Sequence, residues 1–135
     1  MEKLLLVLGL VLFILGLLTG LVVPKTRNPR MALSSHMEGV TNGPFLMIVG
    51  LIWPRIHLAH TLKVVAVVLL VYSTYANWLS TQLAAIWGAG RRFAPIATGD
   101  HTATPAREMI IDGLLFTLAP AIIVASVILL VGLLR

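Results

Sequence analysis

The 135-residue chain contains no cysteine, which excludes disulfides, thiolate metal ligands and cysteine nucleophiles. Charged residues are scarce too: they make up 11% of the chain, whereas a soluble domain carries about a quarter. Hydrophobic residues make up 59%, and the mean hydropathy is +0.99. This composition is typical of an integral membrane protein.

Motifs of soluble enzymes are also missing: there is no G-x-S-x-G nucleophile elbow, no P-loop and no G-x-G-x-x-G. The formal net charge is +5, but the ten lysines and arginines lie mostly in short loops between apolar runs. That distribution predicts contacts with anionic lipid headgroups and not with nucleic acid. Six of the ten fall in the first and third predicted loops, which favours a cytoplasmic location for these loops. They are Lys25, Arg27, Arg30, Arg91, Arg92 and Arg107.

The first apolar run, Leu4 to Val23, has 20 residues and no charge. About 20 residues are needed to cross the hydrocarbon core of a bilayer as a helix. A signal peptide is the competing interpretation, because Glu2 and Lys3 form a short charged start. However, the run is too long for the apolar core of such a peptide, and VVPKTRNP offers no cleavage site of small residues. We therefore predict a retained helix.

Four helices of this kind are predicted in one domain, residues 1–135, as an all-α integral membrane bundle. They cover about residues 4–23, 32–53, 62–87 and 108–134. Thr104-Pro105 fits an N-cap followed by proline at the first helical position. Because four spans enclose little space, we expect a homo-oligomer. Glycines four apart predict faces of close helix packing; the pairs are Gly16 with Gly20 and Gly39 with Gly43.

The polar stretch SSHMEGVTNG lies in the first half of the second predicted helix. Ionisable side chains at membrane depth cost from about 2.5 kcal/mol upward, so they must face protein, water or a cofactor. His36, Gly39 and Gly43 share one helical stripe, where the imidazole could coordinate a metal and the glycines leave room for a planar macrocycle. Glu38 and Asn42 lie four apart on a neighbouring stripe and could orient each other or a substrate. The alternative is a hydrogen-bonded, inert histidine near the interface.

The third predicted helix carries polar groups as well, in YSTYANWLSTQ. Tyr72, Tyr75 and Asn77 are candidate catalytic residues there. Asn77 is the most informative, because a buried amide needs a partner. The alternative is a structural role, since tyrosines often mark the membrane interface and hydroxyls often bond their own helix backbone.

Three further polar residues have open roles. Asp112, in the fourth predicted helix, is either a structural counter-ion or a site residue. His57 and His60 are three apart and could bind a metal, but no acidic residue lies near them. We interpret them as interfacial titrating groups.

The pattern His36-x5-Asn42-Gly43 on the second helix, followed by YANWL on the third, resembles the hydroxylaminobenzene mutases. These are small membrane isomerases whose length and four-span layout fit the whole chain. The resemblance implies conversion of hydroxylaminobenzene to 2-aminophenol, an intramolecular movement of hydroxyl from nitrogen to the ortho ring carbon. It places the enzyme in aromatic hydrocarbon catabolism, in a bacterial inner membrane.

The same pattern is more distantly similar to the styrene oxide isomerases, which are trimers carrying haem b near subunit interfaces. Their iron acts as a Lewis acid on the epoxide oxygen. This resemblance implies that His36 holds a haem iron and that Asn42 contacts the substrate. Asn42, Glu38 and Tyr75 are then candidates for holding the hydroxylamine and moving its protons.

One part of the resemblance does not transfer. If Asn77 matches the asparagine of the third helix in the styrene oxide isomerases, their aspartate falls on Ser73 and their catalytic tyrosine on Thr81. Neither is kept, and Tyr72 or Tyr75 is the candidate replacement.

Other functions remain open from the sequence. A non-enzymatic four-helix membrane subunit or small-solute carrier would use the polar groups to line a pathway. A haem electron-transfer subunit usually needs two axial histidines on facing helices, and the third and fourth predicted helices contain none. A mutase that uses a metal without porphyrin is the last alternative.

Overall fold

A computed structural model describes all 135 residues, which form helices and connecting turns with no strand. Four of the helices are long, and the last connection contains a single helical turn. The helices are α1 (Glu2–Val22), α2 (Pro29–Ile52), α3 (His60–Trp87), the short α4 (Pro95–Thr98) and α5 (Pro105–Leu133). Short 3₁₀ turns, Val23–Lys25 and Trp53–Arg55, follow α1 and α2. The predicted all-α class is confirmed.

Three of the long helices have the length and composition of membrane spans: α1 with its following turn, α3 and α5. With 24 residues, α2 is also long enough to cross a bilayer. The serine, histidine, glutamate and asparagine side chains of its first half make it more polar than the other three. Three apolar helices of this length indicate an integral membrane protein.

The long helices begin two or three residues earlier than the sequence analysis placed them. Each predicted helix begins near its apolar run, whereas the helical backbone of α2 and α5 begins before that run, at Pro29 and Pro105. The side chain of Asn28 caps α2 by accepting a hydrogen bond from the Met31 amide at 3.1 Å. Thr104 occupies the N-cap position of α5 with Pro105 next, although the threonine hydroxyl makes no capping bond. At Gly88 the chain turns out of α3 with φ of 70°, a left-handed value that favours glycine.

Glycines let α1 and α2 pack as an antiparallel pair at backbone distance. A Cβ added to Gly9 would lie 2.6 Å from the Gly43 carbonyl oxygen, and one added to Gly16 would lie 2.7 Å from the Gly39 carbonyl carbon. Small residues at such spacing are how membrane helices approach closely. Gly39 and Gly43 were also predicted to leave room for a flat cofactor. The structure corrects that interpretation, because the α1 backbone fills the space that their missing side chains leave.

Polar contacts fix the order in which the other helices pack. The Ser35 hydroxyl of α2 donates to the Trp78 carbonyl of α3 at 3.1 Å, and the Trp78 indole donates to the Thr19 hydroxyl of α1 at 3.1 Å. In turn, α3 packs along α5. The resulting order is α1, α2, α3, α5, with the first and third loops at one end of the molecule and both termini at the other.

Candidate functional site

His36 is partly buried on the flank of α2 that faces α1, and its ring is held in one orientation. Nδ1 lies 2.8 Å from the backbone carbonyl oxygen of Gly16. Because a carbonyl only accepts, the neutral imidazole carries its proton on Nδ1 and its lone pair on Nε2. Nε2 makes no hydrogen bond within the chain and is not fully buried. The histidine therefore presents one oriented, accessible nitrogen that can act as a ligand or a base.

Gly20 of α1 makes the space in which the His36 ring lies. A Cβ added at Gly20 would be 2.7 Å from Nδ1 and 3.0 Å from Cε1 of the imidazole. The Gly16–Gly20 pair, interpreted from the sequence as a packing face, thus also positions this histidine. Neither glycine was predicted as a site residue. The GxxxG spacing was visible in the sequence, but nothing in it showed that a ring from α2 lies across it.

Glu38, Asn42 and Asn77 form a hydrogen-bonded cluster between α2 and α3. Oε2 of the carboxylate accepts from Nδ2 of Asn42 at 3.0 Å and from Nδ2 of Asn77 at 2.5 Å. A carboxylate only accepts, so both amides must turn their nitrogens toward it. The structure therefore brings together three of the five predicted catalytic residues, and Glu38 is the one that orients the other two.

The cluster presents acceptor atoms that the chain itself does not use. Oε1 of Glu38 and Oδ1 of both asparagines make no hydrogen bond within the protein. None of the three belongs to the fully buried atoms without a partner, so all are accessible. In a water-poor site, such oxygens favour a ligand that brings its own N–H or O–H donors.

The two tyrosines predicted as catalytic lie elsewhere. Tyr75 donates its hydroxyl to the Leu8 carbonyl of α1 at 2.7 Å. The Tyr72 hydroxyl lies 2.6 Å from that of Thr117 on α5, which already donates to its own helix. Tyr75 and Asn77 are two positions apart, which is about 200° around a helix. Neither tyrosine hydroxyl bonds to Glu38 or the asparagines, so the structure separates them from the cluster.

Ser73 and Thr81 stand at the two positions where the catalytic aspartate and tyrosine of the styrene oxide isomerases are not kept. Both hydroxyls are hydrogen-bonded within their own helix. The Ser73 hydroxyl donates to the Leu70 carbonyl at 3.0 Å. The Thr81 hydroxyl donates to the carbonyls of Asn77 and Trp78, each at 3.0 Å. Hydroxyls bonded in this way have no free proton to offer a ligand.

The chain is similar to known proteins over nearly its whole length. Residues 1–134 match the family described as styrene oxide isomerase. The chain belongs to this family. It is 54% identical to hydroxylaminobenzene mutase HabA of Ectopseudomonas oleovorans, over 94% of each chain. It is 49% identical to hydroxylaminobenzene mutase HabB of the same organism, over 98% of this chain and 81% of the relative. No solved structure matches.

The resemblance stated from the sequence is thereby confirmed, and the chain is an enzyme of the isomerase class. A non-enzymatic subunit or carrier is no longer needed to explain the polar residues. Within this styrene oxide isomerase family member, the site has two separate parts. His36 contacts α1, whereas Glu38 contacts α3. Residues two positions apart on a helix point about 200° away from each other. The side chains of His36 and Glu38 therefore lie on opposite flanks of α2.

The remaining predicted polar residues lie outside both parts. Asp112 lies 3.8 Å from Arg92 and acts as a counter-ion near the third loop. His57 and His60 are exposed at the end of the isomerase that holds the termini. No three histidine or acidic side chains of the chain come close enough to hold a metal ion.

Proposed function

We propose that the chain converts hydroxylaminobenzene to 2-aminophenol in a bacterial inner membrane. The similarity to two proteins named for this reaction carries the proposal. The Glu38 cluster supports it chemically, because an aryl hydroxylamine brings one N–H and one O–H donor to the accessible acceptor oxygens of Glu38, Asn42 and Asn77. A substrate held by both donors has its ring and N–O bond in a defined orientation.

The reaction is an isomerisation that needs no external reagent. The N–O bond breaks, a C–O bond forms at the ortho carbon, and the proton lost from that carbon is balanced by one gained at nitrogen. Oε1 of Glu38 is the free base of the cluster and is assigned to this proton transfer. Departure of the hydroxyl leaves a nitrenium-like centre that free water would attack at the para carbon, so the site must hold the released hydroxyl and exclude solvent.

His36 is the residue proposed to hold a haem b. When bound, the haem supplies Lewis acidity toward the hydroxylamine oxygen without net redox change. The donor set fits the group: one neutral, accessible imidazole nitrogen is backed by an Nδ1–H bond to a backbone carbonyl, as is usual for metal-bound histidines. Because a porphyrin supplies most of the ligands of its iron, Nε2 of His36 would be enough to hold it. A bare ion would need several side chains, and no such group exists in the chain.

In this proposal α2 is the fourth membrane span. Its polar side chains are partly sheltered: Ser35 and Glu38 by α3, and His36 by α1. The copies assemble into a cyclic oligomer, a trimer by resemblance. A group held on Nε2 of His36 would lie on the flank of α2 opposite the Glu38 cluster of its own chain. A neighbouring copy can offer its own Glu38 cluster to that group, in a head-to-tail contact that closes into a ring.

Purified protein supplied with hydroxylaminobenzene tests the proposed function. The expected product is 2-aminophenol, with little 4-aminophenol, because the released hydroxyl stays beside the ortho carbon. Styrene oxide serves as the comparison substrate, and we expect it to react more slowly. Ser73 and Thr81 replace the catalytic pair of the styrene oxide isomerases, and their hydroxyls already donate to carbonyls of their own helix. No 2-aminophenol above a heat-inactivated control would contradict the assignment.

Replacing Gly20 by alanine tests how His36 is positioned. The added Cβ would clash with the ring at 2.7 Å and displace Nδ1 from the Gly16 carbonyl. Loss of such a supporting bond typically costs about 10- to 100-fold in metal affinity or activity. We expect haem retention and turnover to fall by that factor while helix content, followed by circular dichroism, is unchanged. Gly113→Ala is the matched control, because a Cβ there meets nothing within 4 Å. Equal behaviour of the two variants would contradict the positioning role.

A further inference from the structure

A groove on the side of the molecule joins the third loop to the outer face of α5. It consists of two adjoining cavities of about 440 and 660 Å³ that share Arg92, Glu108 and Asp112. The loop end of the groove is lined by Arg91 and Arg92, and the other end lies along α5. Neither cavity includes a residue of the proposed catalytic cluster.

The loop end of the groove carries two exposed guanidinium groups. The Arg91 side chain is exposed and makes no hydrogen bond or ion pair with the protein. Arg92 is also exposed, and its only ionic contact is the 3.8 Å approach to Asp112. Glu108 also lines the groove, but it forms no ion pair with either arginine: its Oε2 accepts from the backbone amides of Gly90 and Arg91 at 2.9 and 3.2 Å. Two adjacent guanidinium groups can hold a phosphodiester by several charge-assisted hydrogen bonds.

The other end of the groove is apolar and lies at membrane depth. Met109 and Phe116 are 72% and 71% exposed on α5. Between them Gly113 leaves a notch, since nothing lies within 4 Å of where its Cβ would be. The stacked pair of Arg107 and Trp87, 5.5 Å apart, marks the interfacial level at this end. Phe116 lies nine residues further along α5, about 14 Å away along the helix axis.

We propose that this groove binds one anionic phospholipid, with the phosphodiester on Arg91 and Arg92 and an acyl chain in the notch at Gly113. The change from charged to apolar lining over this depth matches a phospholipid from headgroup to upper acyl chain. Two arginines and two carboxylates line the groove itself, so the charge that favours an anion comes from this end of the molecule as a whole, where six basic residues but only three acidic ones lie. The acidic residues are Asp100, Glu108 and Asp112.

Native mass spectrometry of the detergent-purified full chain tests the proposal. Phosphatidylglycerol and phosphatidylcholine with the same acyl chains are added separately to the wild-type chain and to Arg91→Ala, Gly113→Leu and Lys25→Ala. Lys25 is an exposed cation at the same end that does not line the groove. Gly113→Leu keeps every charge and fills the notch without a clash.

We expect the wild-type chain to retain phosphatidylglycerol in preference to phosphatidylcholine. Arg91→Ala and Gly113→Leu should each lower retention by about fivefold or more, while Lys25→Ala should match the wild type at physiological salt, where distant charges are screened. Equal losses in all three variants, or in none, would overturn the proposal. So would stabilisation of the protein by inorganic phosphate as large as that by phosphatidylglycerol, because it would show that the acyl chain has no part in binding.

Discussion

Replacing His36 by alanine is expected to remove both the visible haem absorption and the mutase activity of the purified protein. The imidazole offers one accessible neutral nitrogen, Nε2, oriented by the bond from Nδ1 to the Gly16 carbonyl. Without it, no other histidine lies on this part of α2. Loss of Lewis-acid assistance worth several kcal/mol corresponds to a fall in turnover of at least about 100-fold. The two readouts are the Soret band and the rate of 2-aminophenol formation.

His57→Ala is the matched control for this experiment. His57 is exposed near the opposite end of the molecule, and only its backbone amide makes a defined contact, with the Gly132 carbonyl at 2.8 Å. We expect that variant to keep both absorption and activity. Helix content must be the same in both variants, so that unfolding does not explain the loss. Full activity of His36→Ala with no Soret band would refute the haem assignment, and an unchanged Soret band would refute His36 as the ligand.

Sequence patterns predicted the helical class and the polar residues of the site, because both depend on properties of one helix at a time. Apolar length identifies α1, α3 and α5 as spans, and the spacing of Glu38 and Asn42 places them on one stripe. Asn77 was singled out because a buried amide needs a partner. That partner is Glu38 on the facing helix.

What the sequence could not predict is which neighbour each helical face meets. Gly39 and Gly43 leave space, and only the packing shows that α1 takes it. Tyr75 is close to Asn77 in sequence, but its hydroxyl bonds to α1. The role of Gly16 could not be predicted for the same reason. Its backbone carbonyl orients His36 only because the two residues are adjacent in the fold, and any residue type has such a carbonyl.

Replacing Glu38 by alanine is expected to lower kcat/KM by about 100-fold, because misplacing the groups that hold a substrate by about 1 Å has an effect of this size. The carboxylate holds Asn42 and Asn77 through one oxygen and leaves the other for the substrate. Haem absorption should be unchanged, because His36 has no bond to this cluster. Thr41→Ala is the control: its exposed hydroxyl bonds only to the carbonyls of its own helix, and we expect wild-type rates. Loss of haem in Glu38→Ala would contradict the separation of the two parts.

Co-expression of the His36→Ala and Glu38→Ala chains tests whether a complete site needs two copies. Each chain alone is expected to be nearly inactive. If His36 of one copy works with the Glu38 cluster of the next, random assembly into a ring restores about one quarter of the sites, because the intact halves of the two chains then meet at some interfaces. If both parts act within one copy, every site retains one defect and mixing restores nothing. The doubly substituted chain, co-expressed with either single variant, is the control and should give no recovery. The expected result is about one quarter of the wild-type activity in the mixed assembly only, together with a Soret band of half intensity.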